Sequence, residues 1–170
     1  SGAIVPDAKW NIDIVGTDIS SQVLRLARQA TYSTLGLNPF RAINRSDFQF
    51  FELVNTETSE MTGTIEFYKP RPWVSKYVRF INHNLMDRPP VNNVDLILCR
   101  NVLIYLEHDC IKKIQRTFID VLKSSGAIVF GPADTMYHMN EVSAEWGTNS
   151  VIYVKSEKQP ESGVFNLFMQ

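Results

Sequence analysis

The order of hydrophobic patterns along this chain predicts an α/β protein built on a doubly wound, mostly parallel sheet. Three observations carry that expectation. Asn11 to Thr17 alternates polar and apolar residues and runs into Asp18 just before a helical repeat begins. Val94 to Cys99 is an almost unbroken apolar run, as in strands buried on both faces. A second helical repeat from Ile111 then leads to another such run, Ala127 to Phe130. Strand, helix and strand in that alternation mark a parallel sheet with crossover helices.

Taken in order, Ser20 is placed to cap a helix from Ser21 to about Ala30, with Val23, Leu24 and Ala27 on its apolar face. Leu35 to Ile43, broken by Gly36, Asn38 and Pro39, reads as loop. The capping-box spacing of Ser46 and Gln49 starts a short helix over residues 47–53. Asn55 to Thr62 is polar and reads as turns. Thr64 to Lys69 and Trp73 to Ile81 are rich in β-branched and aromatic residues and are parted by Pro70-Arg71-Pro72. They predict a small antiparallel excursion, 64–81, inside a single domain of residues 1–170. Pro89-Pro90 leads into the Val94 strand. Ile111, Ile114, Phe118, Val121 and Leu122 follow at helical spacing, with Gly126 just beyond to end the helix. Ser150 to Val154 and Val164 to Met169 are two further strand candidates after an irregular stretch.

The charges balance, with 17 basic and 18 acidic side chains and a net charge of −1, so no electrostatic case arises for a nucleic-acid partner. No apolar run approaches the ~20 residues that span a bilayer, and no membrane insertion is expected. Cys99 and Cys110 lack a CxxC spacing and read as free thiols of a cytoplasmic protein. His83, His108 and His138 form no zinc-binding pattern, so no metal is expected.

Ligands of doubly wound sheets bind beyond the carboxyl ends of the strands. Polar residues stand at three such predicted ends: Asp18, Asn84-Leu85 and Arg100-Asn101. A carboxylate there suits a ribose, because it can accept from both hydroxyls. Asn84 donates and accepts together, which suits an adenine edge, and the Asn101 amide suits the amino-acid end of a ligand. Taken singly, Asp18 has a plainer reading as a cap or turn residue, and Asn84 as a turn residue. It is their order and spacing that point to a ligand.

The segments DIVGTDISSQVLRLARQATY (13–32), Phe50-Phe51, VRFINHNL (78–85) and VDLILCRNVLIYL (94–106) together resemble the motifs of the CheR family of protein-glutamate methyltransferases. Leu24, Ala27, Arg28 and Tyr32 match its L-x-x-A-R-x-G-x-Y, with Ala30 where glycine is usual. LKSSG (122–126) stands for the usual L-K-P-G-G, and GPAD (131–134) for G-x-S/T-E, with Asp134 in place of Glu. The resemblance implies methyl transfer from S-adenosylmethionine to glutamate side chains of a chemoreceptor cytoplasmic domain or another protein substrate, with S-adenosylhomocysteine as product. By motif, Asp18 would bind the ribose, Asn84 and Leu85 the adenine region, and Arg100 and Asn101 the cofactor near its methionine part. Tyr105 would lie close to the transferred methyl and help to place the acceptor.

The resemblance also implies a Rossmann-like methyltransferase sheet whose first strand, ending in a glycine-rich loop, precedes the equivalent of Asn11. Nothing in residues 1–10 resembles that strand. The sheet is therefore expected to lack it, leaving two apolar strand edges unpaired or forced together. The alternative reading is a non-catalytic relative that keeps the scaffold and binds a protein partner through the excursion, with Tyr68, Trp73 and Tyr77 as anchors. A dinucleotide oxidoreductase would need a G-x-G-x-x-G that the chain lacks.

Overall fold

A computed structural model describes residues 11–35, 40, 43–131, 133–134, 136–137, 139–146 and 151–156. The chain forms two compact units, Ser1–Asn84 and Leu85–Gln170.

The first unit runs β1 (Ile14–Asp18), α1 (Ser21–Gln29), β2 (Tyr32–Ser33), β3 (Phe51–Ser59), β4 (Gly63–Pro70), α2 (Pro72–Ser75) and β5 (Val78–Asn82), with a 3-10 turn over Arg45–Phe50. Ser20 caps α1 as its sequence position predicts, its hydroxyl accepting from Val23 N at 3.3 Å. Leu24 is buried and Ala27 half-buried on the inner face, whereas Val23, expected beside them, is largely exposed. β1 and β5 pair in parallel, from Ile14–Val78 to Asp18–Asn82. The Phe80 ring lies across Gly16, where a Cβ would stand 2.7 Å from the ring, so the missing side chain is what admits it. Arg28 closes this packing, Nη2 donating to Phe80 O at 2.9 Å.

The antiparallel excursion draws on other residues than the expected 64–81. Its sheet has the order β2-β4-β3, while Val78–Asn82 belongs to the parallel pair. Most of Asn55 to Thr62, read as turns, lies in β3; this strand is exposed on both faces over most of its length, so no apolar alternation marks it. The helix expected over 47–53 is the 3-10 turn Arg45–Phe50. Asn44 occupies its cap without a side-chain bond, and Ser46 Oγ donates to Asp47 Oδ1 at 3.4 Å, so no capping box forms. Tyr68 packs with Phe40 and Phe48, and Trp73 stands edge-on to Phe50, so these expected anchors are engaged within the unit.

The second unit runs β6 (Val94–Cys99), a 3-10 turn Leu103–Tyr105, α3 (His108–Val121), β7 (Leu122–Phe130), β8 (Val142–Trp146) and β9 (Val151–Lys155). Its sheet order is β6-β7-β9-β8, parallel between β6 and β7 and antiparallel in the other pairs. α3 sets Ile114, Phe118 and Ile119 into a core with Cys99, Leu103, Leu122, Ile128 and Phe130. Helix passes to strand at Leu122 rather than at Gly126. Ser125 takes φ +62° and the register shifts between Val94 and Leu96, which marks an irregularity early in β7. Lys155 Nζ satisfies the helix end, donating to Ile119 O at 2.7 Å and Leu122 O at 2.9 Å. β8 falls in the stretch read as irregular, and the strand expected over 164–169 lies outside the described residues.

β6 is less covered than its apolar run predicts. Cys99 enters the core, but Leu96 and Leu98 are 51% and 68% exposed. Among the described residues, β1 pairs only with β5, and β6 only with β7. Among the described residues, no helix is long and apolar enough to cross a membrane.

Candidate functional site

In the first unit, Asp18 stands half-buried at the end of β1. Its Oδ1 accepts from Ser20 N at 2.7 Å, which starts the turn into α1. Its carbonyl accepts from His83 N at 3.0 Å and from Asn82 Nδ2 at 3.3 Å, and Asn82 Nδ2 also reaches Ile19 O at 2.8 Å. The loop that presents Asp18 is thus tied to the end of β5. The turn role leaves room for a ligand, because a carboxylate offers about four acceptor positions and the turn uses one of them. Asn84 is exposed just beyond β5, so parallel pairing sets it past the same sheet end as Asp18. Beside it, both ring nitrogens of His83 are buried without a hydrogen-bond partner among the described residues, an unmet polar demand at this strand end.

In the second unit, Leu85 packs against the hydrophobic core, and Arg100 is exposed directly after β6. Asn101 turns the chain with φ +58°, a left-handed conformation that Asn tolerates better than most residues. Its backbone N donates to Asp134 Oδ2 at 2.6 Å, Leu103 N to Asp134 Oδ1 at 3.1 Å, and Gly131 N to Asp134 Oδ2 at 3.1 Å. Tyr105 ends the 3-10 turn and is 80% exposed, so it is no core aromatic. Burial, aided by the Asp134 charge, pushes the Cys99 thiol up to about 11, which keeps it protonated and non-nucleophilic at neutral pH.

The predicted site residues therefore fall into two sets. Asp18 and Asn84 share one strand end in the first unit, and Leu85, Arg100, Asn101 and Tyr105 belong to the second. Asn82, Gly131 and Asp134 are not among the residues that the sequence marks as site candidates. Their only signal was position, inside VRFINHNL and GPAD at the ends of two strands. Among the described residues, no group of three or more His, Cys, Asp or Glu gathers as a metal site. The first set offers an acceptor carboxylate and an amide past one strand end, and the second an amide with an exposed phenol.

The family model described as CheR methyltransferase, SAM binding domain, matches residues 3–152. Similar proteins include a chemotaxis protein methyltransferase of Borreliella burgdorferi, 30% identical over 75% of this chain and 42% of that protein. Another, from Listeria innocua, is 26% identical over 85% of this chain and 50% of its own length. A third, from Vibrio parahaemolyticus, is 29% identical over 74% of this chain and 42% of its length. The chain spans half the length, or less, of these curated relatives. A solved TehB-like SAM-dependent methyltransferase of Corynebacterium glutamicum is 15% identical, with a TM-score of 0.46 over 86% of this chain and 68% of that one.

Proposed function

This chain belongs to the CheR methyltransferase family, and from that premise we propose that it binds S-adenosylmethionine and serves methyl transfer to glutamate side chains of a chemoreceptor cytoplasmic domain. The observation that carries the reading is Asp18. Its half-buried carboxylate is locked at the end of a parallel strand, with acceptor positions beyond the one used by Ser20 N. That is the chemistry a ribose diol requires.

The other residues fit the same ligand. Asn84, past the same sheet end as Asp18, suits the adenine edge, and Leu85 is assigned to the adenine region by motif alone. Arg100 and Asn101 suit the carboxylate and ammonium of the methionine part. When bound, S-adenosylmethionine supplies a methyl group already activated on a sulfonium and leaves as S-adenosylhomocysteine. An acceptor glutamate is ionised at neutral pH and is its own nucleophile, so no general base is required. The chain's work is then to align the acceptor and exclude water. Tyr105, exposed on the turn after Asn101, suits contact with the acceptor, and its exposure supports that role.

A calorimetric titration with S-adenosylhomocysteine tests the reading. Asp18→Asn keeps an oxygen for Ser20 N and removes the charge; it should weaken binding about tenfold or more. Asn101→Gly keeps the left-handed turn and removes only the amide, with a similar loss expected. Equal binding by wild type and Asp18→Asn would refute the assignment. No binding at all by the whole chain would leave the non-catalytic relative as the better reading.

A further inference from the structure

We infer that Asp134 is a positioning residue that holds the Asn101 loop in its working conformation, rather than a ligand contact of its own. The inference rests on the reading of Asn101 and Tyr105 given above. Asp134 is 8% exposed, and no ion pair to it occurs among the described residues. Its negative charge is met instead by the backbone N–H groups of Asn101, Leu103 and Gly131. A buried carboxylate without such donors would carry a large desolvation cost. With three of about four acceptor positions taken, little is left for a ligand.

The geometry shows what this clasp controls. Asn101 sits at φ +58°, and Leu103, 1% exposed, begins the turn that ends in Tyr105. One carboxylate therefore fixes both the backbone of the residue whose side-chain amide is assigned to the cofactor and the start of the turn carrying the phenol. Gly131 shows how closely the parts meet: a Cβ there would stand 2.7 Å from Asp134 Oδ2 and 2.8 Å from Asn101 Oδ1. Any side chain at Gly131 would push on the clasp and on the Asn101 amide together.

Asp134→Asn leaves one acceptor oxygen for these donors and turns an amide NH2 toward the rest. Exchange of the Asn101 and Leu103 amides should then accelerate about tenfold or more, while the Phe118 and Ile119 amides of α3 change less than about threefold. S-adenosylhomocysteine binding should weaken about tenfold, and Asp134→Glu, which restores the carboxylate, should recover most of both effects. Loop and helix accelerating together, or no change in the loop, overturns the inference. So does Asp134→Asn binding as tightly as a wild type that binds. If the wild type itself does not bind, the cofactor reading fails and the exchange pattern alone decides on Asp134. Should Asp134→Asn not fold, Gly131→Ala keeps the carboxylate and displaces Asn101. Selective loop exchange with weakened binding then supports the inference, and wild-type values for both refute it.

Discussion

Replacing Ala30 by glycine should stabilise this protein, although glycine normally weakens a helix. Ala30 is the C-cap of α1 and takes φ +50°, with its N–H shared between the carbonyls of Leu26 and Ala27 at 3.2 Å each. A residue with a Cβ costs about 1–2 kcal/mol in that region. Glycine offsets part of the gain through its freer unfolded chain, about 0.4–1 kcal/mol. Ala30 is only half-buried, so losing its methyl costs about 0.3 kcal/mol, less than a fully buried methylene. The net is about 0.5 kcal/mol in favour of Ala30→Gly, or roughly 1–2 °C in Tm for a chain of this size. Urea and thermal unfolding followed by far-UV circular dichroism measure it. Ala27→Gly, inside the same helix, is the control and should destabilise by about 1 kcal/mol. If Ala30→Gly destabilises as Ala27→Gly does, the left-handed cap is wrong and the argument fails.

Ser125, the other place where a usual glycine is replaced, has φ +62° and an exposed side chain, so Ser125→Gly should also raise stability by about 0.5 kcal/mol in urea unfolding. Gly126→Ala should do the opposite. Its Cβ would stand 2.9 Å from Lys123 O and 3.0 Å from Val94 O, and backbone cannot yield as a side chain does, so a loss of about 1–3 kcal/mol is expected in the same assay. Cys99 should resist iodoacetamide at pH 8 in the folded protein while Cys110 reacts, as mass spectrometry of the labelled chain can show. Because folding raises the Cys99 pKa from 9.0 to about 11, its share of stability is complete below pH 9 and is lost as pH climbs through 11. Cys99→Ala should flatten that part of the pH profile relative to wild type, as unfolding at pH 8 and pH 11 would reveal.

These glycine positions show how far residues alone can be read. That Ala30 and Ser125 depart from a usual glycine is visible in the sequence. That both occupy left-handed backbone, which glycine adopts without a Cβ penalty, is not. The β1–α1 segment was readable in advance because its signals are local: a capping hydroxyl and apolar residues spaced on one helix face. The sequence assigns β5 to the excursion because its composition says strand without saying which partner, and its partner β1 lies some sixty residues earlier. β3 is not legible in the sequence, because a strand exposed on both faces over most of its length carries no alternation.

The candidate site divides in the same way. Asp18, Asn84 and Asn101 could be named because each follows a run of residues that declares itself a strand, and ligands of such sheets meet strand ends. The sequence by itself determined the family, the β1–α1 and β6–α3–β7 segments and the polar residues at their strand ends. Only the tertiary structure decided that β5 pairs with β1, that Asn82 ties down the Asp18 loop, and that Asp134 clasps the loop of Asn101. Strand and helix periodicities are written into neighbouring residues. A carboxylate that gathers amides from residues 31 and 33 positions away has no such local trace, because its partners are chosen by how the chain returns on itself.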